Sequence, residues 1–368
     1  MKDKQKILFI VTTSVLGGVA KYLLELTYRL PKDVMPYFVM GSEGYLSEEL
    51  NNIGVSYEQM FFVSMTNNIF DIFQHLNSIL KILRVIKKIK PDIIHCNATT
   101  GAVVGAICGL FTQVKTIYTV HGWPFTDGIS KNKQIFYKFL EFLICFVFKK
   151  IICVSEYDRK IGAKTLPVYK SKMLTIHNGI SDVAESCRKI KFSNNLLKII
   201  MVSRFCQQKD PYTLIFAVHE LLKEGYNIQL DLYGYGQDLD KVLNCIKIQH
   251  DENIRYKGEI SNVIPVLKGY DVYALISNWE GLPIGIIEAM RAGLPILASD
   301  VGGNSELIKN NGYLVKRNDV MDCRNKIKIL YENMSNLQNL GQNSRKFYED
   351  EFVVQKMTNK TFEVIKEL

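Results

Sequence analysis

Asn278-Trp279-Glu280-Gly281-Leu282-Pro283-Ile284-Gly285-Ile286-Ile287-Glu288 is the stretch on which the reading of this chain turns. Ahead of it lies the apolar run Val272–Ile276, and behind it a helical pattern covers Gly285–Ala292. An apolar run, a Gly/Pro loop and a helix in that order form the strand–loop–helix unit of a parallel α/β sheet. The first backbone N–H groups of such a helix lack partners inside it and can hold phosphate oxygens. Glu280 in the loop and Glu288 on the first turns can each accept hydrogen bonds from hydroxyls, as a sugar requires.

The same unit repeats outward in both directions. Leu197–Ser203, Gln229–Tyr233, Ile254–Tyr256, Ile296–Ser299 and Tyr313–Val315 read as further strands. Helical patterns cover Pro211–Lys223, Asp238–Gln249, Val320–Asn333 and Glu349–Lys366. The first half repeats the rhythm, with strands at Ile7–Thr12, Tyr37–Met40, Ile93–His95, Thr116–Val120, Ile151–Val154 and Met173–Ile176. Its helices are Gly18–Leu30, Ile69–Ile89, Gly101–Phe111, Lys133–Phe148 and Glu156–Leu166. The polar stretch Asn178–Asn195 interrupts the alternation and reads as a linker. The chain is therefore two consecutive α/β lobes, residues 1–178 and 179–350, whose sites lie beyond the carboxyl ends of the strands. Two lobes facing each other make a cleft suited to a ligand.

A length of 368 residues agrees with two domains. The 9 prolines and 24 glycines exclude a collagenous or low-complexity chain. The net charge of +9 is uneven: residues 1–180 hold 22 basic and 13 acidic side chains, and residues 181–368 hold 24 of each. All the excess sits in one lobe, which points to an anionic partner for that lobe. It carries no nucleic-acid-binding motif, which argues against DNA or RNA. Eight cysteines without a CxxC pair read as buried thiols of a cytoplasmic protein. Lys2, Lys4 and Lys6 precede an apolar run too short for a signal peptide, and Gly101–Phe111 is too short to span a bilayer.

Several loop residues have two readings each. Gly17-Gly18, between the first strand and helix, makes either a tight turn or a seat for an anion. The adjacent glycines are not the GxGxxG of a dinucleotide site. His121, at the end of a strand, either bonds the local backbone or donates to a ligand oxygen and carries a proton near neutral pH. His95 reads as structural. Arg204 and Lys209 follow Leu197–Ser203 and are either solvated loop cations or a diphosphate site. Gly234-Tyr235-Gly236 by itself marks a turn, and Asp238-Leu239-Asp240 at a helix start complements the dipole rather than binding metal. Lys131, Lys133, Lys138, Lys149 and Lys150 flank the apolar Phe136–Phe148. That segment is either a core helix or a face for an anionic membrane.

Taken in order, these pieces resemble the retaining GT-B glycosyltransferases of family 4, particularly those building bacterial capsule, exopolysaccharide or O-antigen. Glu280-x7-Glu288 with Gly281-Leu282-Pro283 carries most of the likeness. Asp92-Ile93-Ile94-His95, Val120-His121-Gly122, His177-Asn178-Gly179-Ile180 and Gly302-Gly303-x-x-Glu306 stand in family order around it. Ser203 and Asp210 stand where relatives often carry glycine.

The resemblance implies a GT-B fold: two Rossmann-like lobes facing across a cleft, with a C-terminal helix at about 351–368 crossing back to the first lobe. It implies transfer of a hexose or N-acetylhexosamine from a nucleotide sugar, by family habit UDP-linked, with no metal or other cofactor. The acceptor would be a lipid-linked or other membrane-associated glycan bound by the first lobe, with peripheral contact at the inner face of the membrane. Arg204 and Lys209 would bind the donor diphosphate, Glu280 the sugar hydroxyls and Glu288 the ribose. The backbone of Leu282, Pro283, Ile284 and Gly285 would hold phosphate or sugar. Ile260 would touch the base, Gly234 would line the donor site, His121 would lie near the transferred sugar, and Gly17 and Gly18 near the phosphates or acceptor. A UDP-sugar epimerase of similar two-lobe shape and an NAD-dependent oxidoreductase are the rival enzyme classes. The paired glutamates oppose the first, and the missing GxGxxG opposes the second. A non-catalytic binding module would not need both cations and both glutamates.

Overall fold

A computed structural model describes residues 4–60, 69–126, 128–189, 191–192 and 195–368. Lys2, and Ile190, Ser193 and Asn194 of the expected linker, lie outside the described residues. The chain divides into two compact units, Met1–Gly179 with Val354–Leu368, and Ile180–Val353.

The first unit runs β1 (Gln5–Val11), α1 (Gly18–Thr27), β2 (Val34–Met40), α2 (Tyr45–Asn52), β3 (Tyr57–Gln59), α3 (Ile69–Ile89) and β4 (Ile93–Asn97). It continues α4 (Ala98–Thr112), β5 (Lys115–Val120), α5 (Lys131–Cys145), β6 (Lys150–Cys153), α6 (Glu156–Thr165) and β7 (Met173–Thr175). All described pairings in its sheet are parallel, in the order β3-β2-β1-β4-β5-β6-β7. Ile7 to Val11 and Ile93 to Asn97 are buried without alternation, because helices cover both faces of a parallel sheet.

The second unit contains β8 (Leu197–Val202), α7 (Pro211–Lys223), β9 (Ile228–Tyr233), α8 (Leu239–Gln249), β10 (Ile254–Tyr256), α9 (Ile264–Leu267) and β11 (Val272–Leu275). It ends with α10 (Ile284–Arg291), β12 (Ile296–Ser299), β13 (Gly312–Val315), α11 (Val320–Glu332) and α12 (Leu337–Glu351). Its described strands are also parallel, in the order β10-β9-β8-β11-β12-β13. The last helix, α13 (Val354–Lys366), belongs to the first unit, where it packs on α1.

The expected helix Glu349–Lys366 is in fact two. Its first residues close α12, Phe352 caps that helix, and Val353 leaves helical geometry to bridge Ile180. The Ile180 amide donates to the Phe352 carbonyl at 3.0 Å, and the Tyr348 hydroxyl donates to the Ile180 carbonyl at 2.9 Å. Phe352, where the helix stops, is buried. The C-terminal helix therefore begins at Val354 rather than near 351.

Among the described residues no helix is long and apolar enough to cross a membrane. All eight cysteines are free thiols, with Cys187 and Cys206 half-buried and the rest buried.

Candidate functional site

In the second sheet the chain runs from β8 outward to β9 and β10, then returns to the other side of β8 for β11. At such a reversal of strand order a crevice opens outside the carboxyl ends of the central strands. The loop after β8 carries Arg204, Gln208 and Lys209, and the loop after β11 carries Ser277 to Pro283. These two loops are laced together. The Asn278 amide donates to the Gln208 carbonyl at 2.7 Å, the Asp210 amide to the Ile276 carbonyl at 3.0 Å, and Lys209 bridges Ser277 antiparallel.

That lacing brings Lys209 onto Glu280. Their ammonium and carboxylate form an ion pair, with the two side chains only 13% and 5% exposed. The Ser277 hydroxyl donates to Glu280 Oε1 at 2.7 Å. Gln208 Nε2 donates to Glu280 Oε2 at 3.2 Å and to the Trp279 carbonyl at 3.0 Å. Both carboxylate oxygens are thus satisfied, as burial of a charge demands. Arg204, on the same loop as Lys209, is exposed. Asp210 turns the other way and caps α7, accepting from the Thr213 amide at 3.2 Å.

Two further loops lean on this pair. Gly302 has φ of 56°, and a β-carbon there would overlap the Glu280 carbonyl oxygen. Beside it the Gly303 amide donates to the Gly281 carbonyl at 2.8 Å. Gly234 has φ of 145°, and a β-carbon there would overlap the Ser203 carbonyl oxygen. Its amide donates to the Gly258 carbonyl at 2.9 Å, which sets the turn carrying half-buried Ile260 beside the end of β9.

Helix α10 starts at Ile284, with Pro283 in extended geometry as its N-cap. The next residue, Gly285, has an internal reason to be glycine: a β-carbon there would lie 2.5 Å from the Tyr273 hydroxyl. That hydroxyl donates to the Val202 carbonyl at 3.2 Å, tying β11 to the end of β8. Burial pushes the Tyr273 phenol far up, and the Glu288 and Glu280 carboxylates add to the shift. Tyr273 therefore stays a neutral donor, within electrostatic reach of both glutamates. Asp238 is the N-cap of α8 and pairs with Lys241 at 2.6 Å. Among the described residues no group of three or more His, Cys, Asp or Glu side chains could hold a metal ion.

The first sheet reverses its strand order between β1 and β4. Gly17 and Gly18 follow β1. A β-carbon at Gly18 would meet nothing within 4 Å, and one at Gly17 only the Val15 carbonyl at 4.0 Å. Gly17 is fully extended. No tight turn inside the chain requires glycine at either position.

His121, just past β5, binds Asn97 Oδ1 through Nε2 at 3.1 Å. The Asn97 amide group donates to the His95 carbonyl at 3.4 Å, so Oδ1 faces His121 and the imidazole carries its proton on Nε2. Burial, with His95 nearby, lowers the His121 pKa to about 3. That shift favours the donor reading of His121 over the proton-carrying one, although the side chain is half-buried rather than sealed from solvent. The ring donates at Nε2, and Tyr22 lies edge-on to it at 4.9 Å. His95 is fully buried against Thr119 at 2.7 Å, and its pKa is also lowered to about 3 by burial.

Gln208, Ser277, Asn97 and Tyr273 were missed from sequence. Gln208 and Ser277 adjoin residues that were singled out, and Asn97 ends a strand as His121 follows one. Tyr273 left no signal, because an aromatic inside a strand reads as core.

Residues 182–347 match the family model described as Glycosyl transferases group 1, and residues 16–183 match Glycosyltransferase Family 4. An Escherichia coli UDP-Gal:alpha-D-GlcNAc-diphosphoundecaprenol alpha-1,3-galactosyltransferase is 27% identical over 341 residues, with 86% of each chain covered. The capsular polysaccharide biosynthesis glycosyltransferase CapM of Staphylococcus aureus is 24% identical over 365 residues, 95% of this chain and 93% of its own. Among solved structures, Anabaena Alr3699/HepE in complex with UDP and glucose matches with a TM-score of 0.82 at 18% identity, covering 99% of this chain and 100% of that one.

Proposed function

This chain belongs to the GT-B glycosyltransferases of family 4, and on that premise we propose a fuller reading of its reaction. It moves a hexose or N-acetylhexosamine from a UDP-sugar to a membrane-associated or polyprenyl-diphosphate-linked glycan in surface polysaccharide assembly. Transfer proceeds with retention and without a metal ion. The first unit receives the acceptor, and the second binds the donor.

The observation that carries this reading is the Lys209–Glu280 clasp between the two central loops of the second sheet. When the nucleoside diphosphate departs, charge builds on its oxygens. Lys209, exposed Arg204 and the N-terminal end of α10, which has no side-chain cap, supply preorganised positive potential for that charge. Lys209 is held by Glu280. A diphosphate competes for the ammonium and leaves the carboxylate to accept from sugar hydroxyls. Glu288 takes the ribose hydroxyls. The backbone of Leu282 to Gly285 holds phosphate or sugar, and Ile260 with Gly234 lines the nucleoside side. His121, its Nε2–H held by Asn97, offers Nδ1 to the transferred sugar, and Gly17 with Gly18 leaves space for phosphate or acceptor. The bond from the anomeric carbon to the diphosphate oxygen breaks as the bond to the acceptor oxygen forms on the same face. The acceptor proton passes to the departing diphosphate.

The names of the relatives support the substrate classes: one acts on a diphosphoundecaprenol-linked sugar with UDP-Gal, and a structural neighbour holds UDP and glucose. The test is nucleotide release from a panel of nucleotide sugars with membrane lipid extract, for wild type, Arg204→Ala and Glu280→Ala. A UDP-sugar should support acceptor-dependent release that both variants lose. Release independent of acceptor, or full activity in both variants, contradicts the reading. A β-linked product by NMR contradicts retention from an α-linked donor.

A further inference from the structure

Helix α5 is apolar on both faces: Tyr137, Leu140, Ile144 and Cys145 pack on the core, and a second apolar stripe faces away from it. Its acid, Glu141, points inward and is fully buried, along with Ile144 and Cys145. Glu141 accepts from the Thr99 hydroxyl at 2.9 Å and the Tyr118 hydroxyl at 3.2 Å. Facing outward are Ile135, Phe136, Phe139, Phe142, Leu143 and, at the C-cap, Phe146, between 43% and 69% exposed. At the helical turn of ~100° per residue these six side chains span a stripe roughly 120° wide.

The stripe continues beyond the helix. The Phe142 ring lies 5.5 Å from that of Tyr169, tilted by 49°, and the neighbouring Val168 is 70% exposed. Lys172 donates to the Cys145 and Phe146 carbonyls at 3.1 and 2.9 Å, capping α5, and sits over the Phe146 ring at 6.0 Å. Exposed Lys131, Lys133 and Lys138 border the stripe at its start, and exposed Lys149 follows its end. Among the side chains of α5 itself none that is exposed is acidic.

We propose that this face of α5 is an in-plane membrane-docking surface for an anionic bilayer. The phenylalanines enter the boundary between headgroups and acyl chains while the lysines stay among the phosphates. An apolar face in contact with water is costly, and a soluble chain rarely keeps a contiguous one without a partner. A phenylalanine-rich stripe with exposed lysines at both ends complements an anionic lipid surface in both polarity and charge. The unit that carries it also holds the chain's entire positive excess. The inference deepens the reading of a membrane-borne acceptor and rests on that reading only for its biological purpose, since the docking is measured without donor or acceptor.

The test uses the full chain with Phe139→Trp and vesicles of phosphatidylglycerol and phosphatidylcholine, some carrying acyl-chain bromines. The expected result is co-flotation with anionic vesicles and quenching of the new tryptophan beyond that of the wild-type tryptophans. Phe139→Glu/Phe142→Glu should weaken binding roughly tenfold or more, with an unchanged circular-dichroism spectrum and an intact nucleotide-release rate on a detergent-solubilised acceptor. Lys131→Gln/Lys133→Gln/Lys138→Gln should weaken binding and raise its salt sensitivity. Binding without added bromine quenching, binding indifferent to both variant sets, or no binding at all overturns the proposal. So does a lipid-independent dimer that Phe139→Glu/Phe142→Glu dissolves. Loss of glycosyl transfer in a protein that still docks would instead indict the reading of the reaction.

Discussion

At the strand-order reversal of the second sheet stand a buried carboxylate, a lysine paired to it, and an exposed arginine on the same loop. Around the corresponding reversal of the first sheet stand an imidazole, an amide and two glycines with open space beside them. Two units built on one plan thus furnish the same place with opposite chemistry. In the second, the buried carboxylate is matched by partners, Glu280 with Lys209, Ser277 and Gln208. In the first, burial keeps the groups neutral, with His95 and His121 lowered to pKa values of about 3. Topology supplies a crevice, and the few side chains at its lip decide whether it suits a diphosphate or the hydroxyls of a sugar.

The sharpest way to break the comparison is to remove the charge. Glu280→Ala should cut kcat/KM by about 10²–10³, as loss of a preorganised electrostatic partner does. It also leaves Lys209 half-buried and unpaired. Steady-state kinetics that match wild type would show that the clasp is only structural. Next in size is Gly302→Ala. The substitution adds an unfavourable φ to a collision with the Glu280 carbonyl, so chemical denaturation should show about 2–3 kcal/mol of lost stability. A smaller loss would mean that the loop after β12 does not brace Glu280.

In the first unit, Asn97→Ala frees the His121 ring from its tautomer-setting partner. Turnover should fall roughly tenfold, mostly in kcat, with little change in UDP affinity. Equal loss in both would mean that Asn97 does not act through the His121 tautomer. The smallest effect is on stability against pH. Burial raises the Glu141 carboxyl to about 7, so its contribution is fully present below the usual carboxylic value and is lost as pH rises through 7. His95 and His121 act in reverse: their contribution is present above the usual imidazole value and is lost as pH falls toward 3. Glu141→Gln should therefore shrink the fall in Tm between pH 6 and pH 8 by a few degrees. An unchanged fall would mean that the buried carboxyl is not what titrates.

Much of this architecture could be read from residue patterns, for identifiable reasons. Long runs with clear periods gave α3 and α7 to the residue, and most strands to within one or two. Missed were α2 and β3, which are short and polar, and most of α12, where Gln338, Asn339, Gln342 and Asn343 dilute the apolar pattern. The break at Phe352 escaped because it depends on Ile180, a partner 172 positions away. At the site, Lys209 and Glu280 stood out one by one, but their pairing arises from two loops that meet only after folding. Gly285 reads as one of the backbone positions that hold phosphate or sugar, and part of its reason to be glycine is the Tyr273 hydroxyl beside it. The outward face of α5 was hidden for a simpler reason: periodicity shows that a helix has an apolar stripe, not which way the stripe points.

The division of roles between the two units depends on where the donor's diphosphate binds, and calorimetric titration of UDP into the full chain measures that directly. Wild type should bind one UDP, Arg204→Ala should bind it at least about tenfold more weakly, and His121→Ala should bind it within about twofold of wild type. UDP affinity untouched by Arg204→Ala, or abolished by His121→Ala, would contradict the assignment of the donor site to the second unit.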